Sequence, residues 1–169
     1  MLGSSLMRKH FPIWLLVLCL LAACDQQTTV CLQTEAVRCR VVFSCDSLVQ
    51  TADTAYIGTF TVVDSLTVQG LGSDSVLYAN SKAVSSISLP LRKDTVATAF
   101  CLRLNDATDT LTIRHTNNEY YVSLACGCFV FHQVDTALSR TGLVQKVEVL
   151  NTAVENVEQD NLRLYVHFR

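Results

Sequence analysis

No apolar run in this chain is long enough to cross a bilayer, its basic side chains are few and scattered, and it carries no familiar catalytic signature. The longest apolar segment, Phe11 to Leu21, is interrupted by Pro12 and spans about a dozen residues, whereas a membrane-spanning helix needs about 20. Proteins that grip a phosphate backbone cluster their Lys and Arg. Here only Arg38/Arg40 and Arg92/Lys93 stand near each other, which argues against a nucleic-acid partner. There is no G-x-S-x-G elbow, no H-E-x-x-H, no phosphate loop and no D-x-D-x-D-G calcium loop. Gly70-Leu71-Gly72-Ser73 starts like a glycine-rich loop, but nothing helical follows it, so it reads as a turn. His10, His115, His132 and His167 are dispersed, and no histidine-dependent centre assembles from them locally. No catalytic residue and no cofactor are expected.

What the chain does have begins at its N-terminus. Arg8 and Lys9 precede the apolar segment, and Leu21-Ala22-Ala23-Cys24 follows it. A charged start, an apolar stretch of roughly 7 to 15 residues and small residues at the cut define an export signal. The cysteine directly after the two alanines resembles the bacterial lipobox, in which that thiol is diacylated, the peptide is cut before it and the new amine is acylated. On this reading residues 1–23 are a signal peptide, Cys24 is the lipidation site, and 24–30 is a short polar tether. Residues 31–169 then form one domain, and the expected location is the bacterial envelope, anchored by lipid on the periplasmic face of the outer membrane. Asp25 resembles an inner-membrane retention cue of enterobacteria, a rule specific to that group. The mature chain would have 146 residues, enough for one substantial core. Eleven basic side chains would face fifteen acidic ones, a formal charge of −4.

Of eight cysteines, Cys19 would leave with the signal and Cys24 would carry lipid. Cys31, Cys39, Cys45, Cys101, Cys126 and Cys128 remain. An even set in an exported chain favours disulfides, and six cysteines allow 15 pairings that sequence cannot separate. From Val37 onward the pattern has period two: Val37, Cys39, Val41 and Phe43 alternate with Arg38, Arg40, Val42 and Ser44. Strands are predicted near Ala55–Val63, Leu66–Gln69, Ser75–Tyr78, Val84–Leu89, Val96–Leu104, Thr110–His115, Tyr120–Val134, Leu143–Leu150 and Leu162–Phe168, all rich in β-branched and aromatic residues. Connections are short and polar, with Asn117-Asn118 reading as a near-minimal hairpin turn and Thr152 to Asp160 as a brief helical turn. Tyr120–Val134, apolar on both faces, reads as a central strand with a bulge or close backbone approach at Gly127. In the last strand Leu162, Leu164, Val166 and Phe168 alternate with Arg163, Tyr165, His167 and Arg169, which predicts one wet sheet surface. The expected fold is all-β, an antiparallel sandwich, with an open barrel as the alternative.

Two motifs suggest chemistry. Cys126-Gly127-Cys128 with His132 is the one local cluster of soft ligands, able in principle to hold zinc or copper or to exchange disulfides. The structural alternative is two bridged cysteines and a solvent-facing histidine, and it outweighs the metal or redox reading. The second motif recurs: Asp, then Ser or Thr, then an apolar residue, with the hydroxyl at Ser47, Thr54, Ser65, Ser75, Thr95, Thr110 and Thr136. Composition alone would give about two Asp-Ser/Thr pairs in the mature chain, not seven. The triplet resembles the O-glycosylation acceptor of the Bacteroidota. Turn-loving Asp followed by strand-forming Thr would enrich the same order without any sugar.

The lipobox, the early Cys31, a first strand ending in Val41-Val42-Phe43, and Tyr121-Val122-Ser123-Leu124-Ala125-Cys126-Gly127 together resemble an uncharacterised family of small Bacteroidota envelope lipoproteins. Members of that family carry Thr-Pro after the early cysteine, where this chain has Glu35-Ala36. The resemblance implies a Cys31–Cys126 bridge and no known activity. The resulting expectation is a lipid-anchored module with a binding or structural accessory role, meeting the membrane through its lipid and an envelope protein or glycan through its surface.

Overall fold

A computed structural model of the chain describes residues 37–46, 58–123 and 127–167. Eleven strands follow in order: β1 (Cys39–Asp46), β2 (Gly58–Phe60), β3 (Val63–Gly70), β4 (Val76–Val84), β5 (Ser86–Leu89), β6 (Ala97–Leu104), β7 (Ala107–Ser123), β8 (Gly127–Ser139), β9 (Val144–Val149), β10 (Ala153–Val154) and β11 (Asp160–Val166). No helix occurs among the described residues. The strands form a five-stranded sheet, β2-β1-β11-β9 with β5 also on β1, and a six-stranded sheet, β10-β8-β7-β6-β3-β4. Neither closes on itself, so the fold is an all-β sandwich and not the open barrel. One pairing departs from the expected antiparallel scheme. β1 and β11, some 120 positions apart, run parallel, with Phe43 opposite Leu164.

Alternation explains most of the packing. Phe100, Leu102 and Leu104 of β6, Leu111 and Ile113 of β7, and Leu66 and Val68 of β3 point into the core from the six-stranded sheet. Cys39, Val41 and Phe43 of β1 and Leu162, Leu164 and Val166 of β11 meet them from the other sheet, all fully buried. β1 is covered on its second face too, with Val42 and Ser44 buried. The opposite face of β11 is drier than its alternation predicts. Tyr165 is buried there, its hydroxyl donating to Glu148 Oε2 at 2.8 Å while Lys146 Nζ sits 5.2 Å from the ring centre.

Three local expectations are corrected. Asn117-Asn118 is no turn: β7 runs through it without Gly or Pro for 17 residues, pairing Asn117 with His132 and Asn118 with Phe131. Tyr120–Val134 is therefore no single central strand but the two arms of the β7–β8 hairpin. Gly127 has φ +72° where β8 begins, a conformation that suits a residue without a Cβ. The Thr152–Asp160 segment is not helical either, because side-chain amides replace the helical bonds. Ala153 N–H donates to Asn151 Oδ1, while Gln159 Nε2 and Asn161 Nδ2 both donate to Ala153 O. Ala153–Val154 is thereby held against β8. The turn at Gly72 forms as expected, with φ +82°.

Candidate functional site

The inward face of β7 reads Asp109, Leu111, Ile113, His115, Asn117, an apolar middle flanked by polar groups at both ends. Each end ties down a loop. At the first, the buried Asp109 carboxylate takes main-chain N–H bonds from Thr110, Arg140 and Thr141 on Oδ1, and from Val144 together with the Ser139 hydroxyl on Oδ2, at 2.6 to 3.2 Å. Burial alone would raise its pKa, but the donations from Val144, Ser139 and Thr141 outweigh that and hold it at about 2. A charge this well solvated by amides fixes the β8–β9 connection.

At the other end, Asn117 organises two histidines. Its Nδ2 faces the carbonyl oxygens of Lys93 and Thr95 at 2.9 and 2.8 Å, so the amide nitrogen must point that way and Oδ1 must accept elsewhere. Oδ1 lies 2.8 Å from His115 Nδ1 and 2.7 Å from His132 Nδ1, which places a hydrogen on Nδ1 of each ring. His115 Nε2 is then an acceptor for the Thr98 hydroxyl, 2.8 Å away, while Thr98 Oγ1 accepts the Arg92 N–H at 2.9 Å. The two rings meet edge to face with centres 5.1 Å apart. The network fastens residues 92–95, part of the crossing from β5 in one sheet to β6 in the other. Desolvation, followed by the neighbouring His115 and Lys93, pulls the His132 pKa down from 6.5 to about 4.

The order hydroxyl, imidazole, amide in Thr98, His115 and Asn117 matches the layout of a nucleophile, a base and an orienting group. Access decides its role. Thr98 is 4% exposed and His115 fully covered, so no substrate reaches the hydroxyl, and the trio holds a loop in place. Sequence reasoning missed this convergence, because it depends on the hairpin register that sets His132 against Asn117. The inward parity of His115 and Asn117 was the available clue.

The other predicted positions are dispersed. Cys24, Cys31, Ser47, Thr54 and Cys126 lie outside the described residues. Cys128 is exposed while His132 is buried and committed to Asn117. Four positions along a strand separate them by about 13 Å, too far for both to reach one metal at about 2 Å. The structure therefore brings Cys128 and His132 to no common ligand position, and the solvent-facing reading of His132 is corrected by its burial against Asn117. Among the described residues no group of three or more His, Cys, Asp or Glu is placed to hold a metal.

Cys39, Cys45, Cys101 and Cys128 are free thiols. Geometry keeps several of them apart. Cys39 and Cys45 are six positions apart on β1, about 20 Å. Cys101 and Cys128 pair with Thr110 and Tyr121, eleven positions apart on β7, or about 35 Å. Burial pushes the Cys39 thiol up to about 12, which makes it unreactive. Of the acceptor triplets, Ser75 and Thr136 have exposed hydroxyl residues, whereas Ser65, Thr95 and Thr110 are half-buried, and the Asp109 before Thr110 is fully engaged.

What does face solvent with several polar groups in one place is the outer surface of the six-stranded sheet. An open groove of about 440 Å³ there is lined by Ser65, Thr67, Asn80, Lys82, Arg103, Asn105 and Asp106.

Comparison with known proteins adds one assignment. The model of the family of unknown function DUF6452 matches residues 65–166, and the chain belongs to that family. The match spans the Asp109 and Asn117 networks and the groove. No curated protein and no solved structure matches the chain.

Proposed function

We propose that this member of a family of unknown function is a lipid-anchored protein of the bacterial envelope, attached through Cys24 and acting as a binding or accessory module. The observation that carries the anchor is Leu21-Ala22-Ala23-Cys24, set directly after a cationic start and an apolar run too short to span. Three acyl chains exceed the two signals needed for stable attachment, since each buried CH₂ contributes about 0.8 kcal/mol. The sandwich then works as a rigid body, with its polar sheet surface and loops available to an envelope protein or glycan. The outer membrane, facing the periplasm, is the location proposed.

Fractionation of cells expressing the full chain tests the anchor. The unaltered protein is expected in the membrane fraction and Cys24→Ser in the soluble one. Retention of Cys24→Ser in the membrane would overturn this reading.

A further inference from the structure

The groove on the outer face of the six-stranded sheet is lined by polar side chains throughout, two of them cations. Register places Lys82 of β4 beside Ser65 of β3, and Arg103 of β6 beside Thr67. Both cations are exposed, and neither makes an ion pair among the described residues. Asn105, with φ +53°, turns its Oδ1 back to accept the Ser65 N–H at 3.0 Å. A main-chain N–H can only donate, so this bond fixes the amide and leaves Asn105 Nδ2 facing outward. Asn80, with φ +50°, is tied to the same strand: its Oδ1 accepts the Ser65 hydroxyl at 2.5 Å, and its own N–H donates to Thr67 Oγ1 at 3.1 Å. Non-glycine residues in the left-handed region carry a backbone cost and gather at sites where geometry serves a ligand. The outcome is two side-chain amides, an ammonium, a guanidinium and the Thr67 hydroxyl around one open space, with the Asp106 carboxylate as the acidic acceptor beside them.

We propose that this groove binds an acidic saccharide, a sugar bearing a carboxylate or a phosphate. The oxyanion would lie between Lys82 and Arg103, where charge-assisted bonds are strongest. The ring hydroxyls would meet the Asn80 and Asn105 amides, Thr67 and Asp106. A space of about 440 Å³ suits one or two sugar rings. The inference deepens and rests on the binding-module reading. It does not depend on the lipid anchor, so failure of the groove to bind and failure of Cys24→Ser to leave the membrane are separate results.

Calorimetric titration of the full mature protein in detergent, with glucuronate, glucose 6-phosphate, glucose and inorganic phosphate as probes, tests it. Saturable binding of the two acidic sugars below about 10 mM is expected. It should weaken at least about tenfold in Lys82→Ala/Arg103→Ala and in the charge-reversed Lys82→Glu, both with unchanged circular dichroism. Glucose should bind at least about tenfold more weakly than either acidic sugar. No saturable binding of either acidic sugar, or equal binding by the double variant, would overturn the proposal. Phosphate binding as tightly as glucose 6-phosphate would overturn its saccharide part.

Discussion

Lowering the pH should destabilise this protein in a window set by one buried histidine. His132 gives up water on burial and lies beside His115 and Lys93, so its folded-state pKa falls from 6.5 to about 4. In the unfolded chain it takes up a proton near 6.5; in the native state it resists until about 4. Between those values the unfolded state holds more protons, so stability is complete above pH 6.5 and is lost as pH falls towards 4, levelling off below. At about 1.4 kcal/mol per pKa unit, the loss reaches about 3 kcal/mol, which corresponds to a urea midpoint lower by roughly 1 to 3 M. The one tryptophan, Trp14, lies in the segment proposed to be removed, so far-UV circular dichroism is the appropriate signal. His132→Asn keeps an N–H for Asn117 Oδ1 but cannot titrate. Its stability should vary little between pH 6.5 and 4, whatever its value at neutral pH. A parent midpoint that does not move between pH 7 and 4.5, or an equal slope in the variant, would show that His132 does not set this window.

Asp109→Asn should destabilise by about 3 kcal/mol or more in the same assay, since either orientation of the amide sets its NH₂ against a main-chain N–H of Thr110, Arg140, Thr141 or Val144. It should also remove the acid limb between pH 3.8 and about 2, where the parent loses the stability of its ionised carboxylate. Phe43→Ala, in a strand outside the family match, should cost about 3 to 5 kcal/mol, because that ring is fully buried between the sheets; a loss under 1 kcal/mol would mean β1 is not integral to the core. With Cys31 and Cys126 bridged, as the family resemblance implies, the unfolded, unreduced mature protein should show four titratable thiols. In the native state Cys128 should react first and Cys39 only after unfolding, its thiol being buried and held near 12. Six titratable thiols would contradict the bridge.

Strands whose alternation meets one core face could be read directly. Leu162, Leu164 and Val166 against Arg163, and Phe100, Leu102 and Leu104 against Arg103, lie as period two requires. The β7–β8 hairpin could not, because the stretch around its bend is apolar on both faces while Asn117-Asn118 imitates a turn in the middle of a strand. Side-chain bonds that cap a loop, such as Asn161 to Ala153, leave no trace in hydropathy. Neither does the parallel union of β1 with β11, since chain ends carry no mark of which strand they will meet. The two histidines stayed apart on paper for the same reason. Their meeting at Asn117 exists only once a register is chosen, and one position of slippage would turn His132 outward. The groove was equally hidden, because Ser65 and Thr67, Asn80 and Lys82, and Arg103 and Asn105 come from three separate segments.

The lipid anchor is tested best by the intact mass of the protein taken from a bacterium that processes lipoproteins. A polypeptide beginning at Cys24 with three acyl chains is expected, and any sugar on the exposed Ser75 or Thr136 would add to that mass. A chain that keeps residues 1–23 and carries no acyl mass would contradict the anchor.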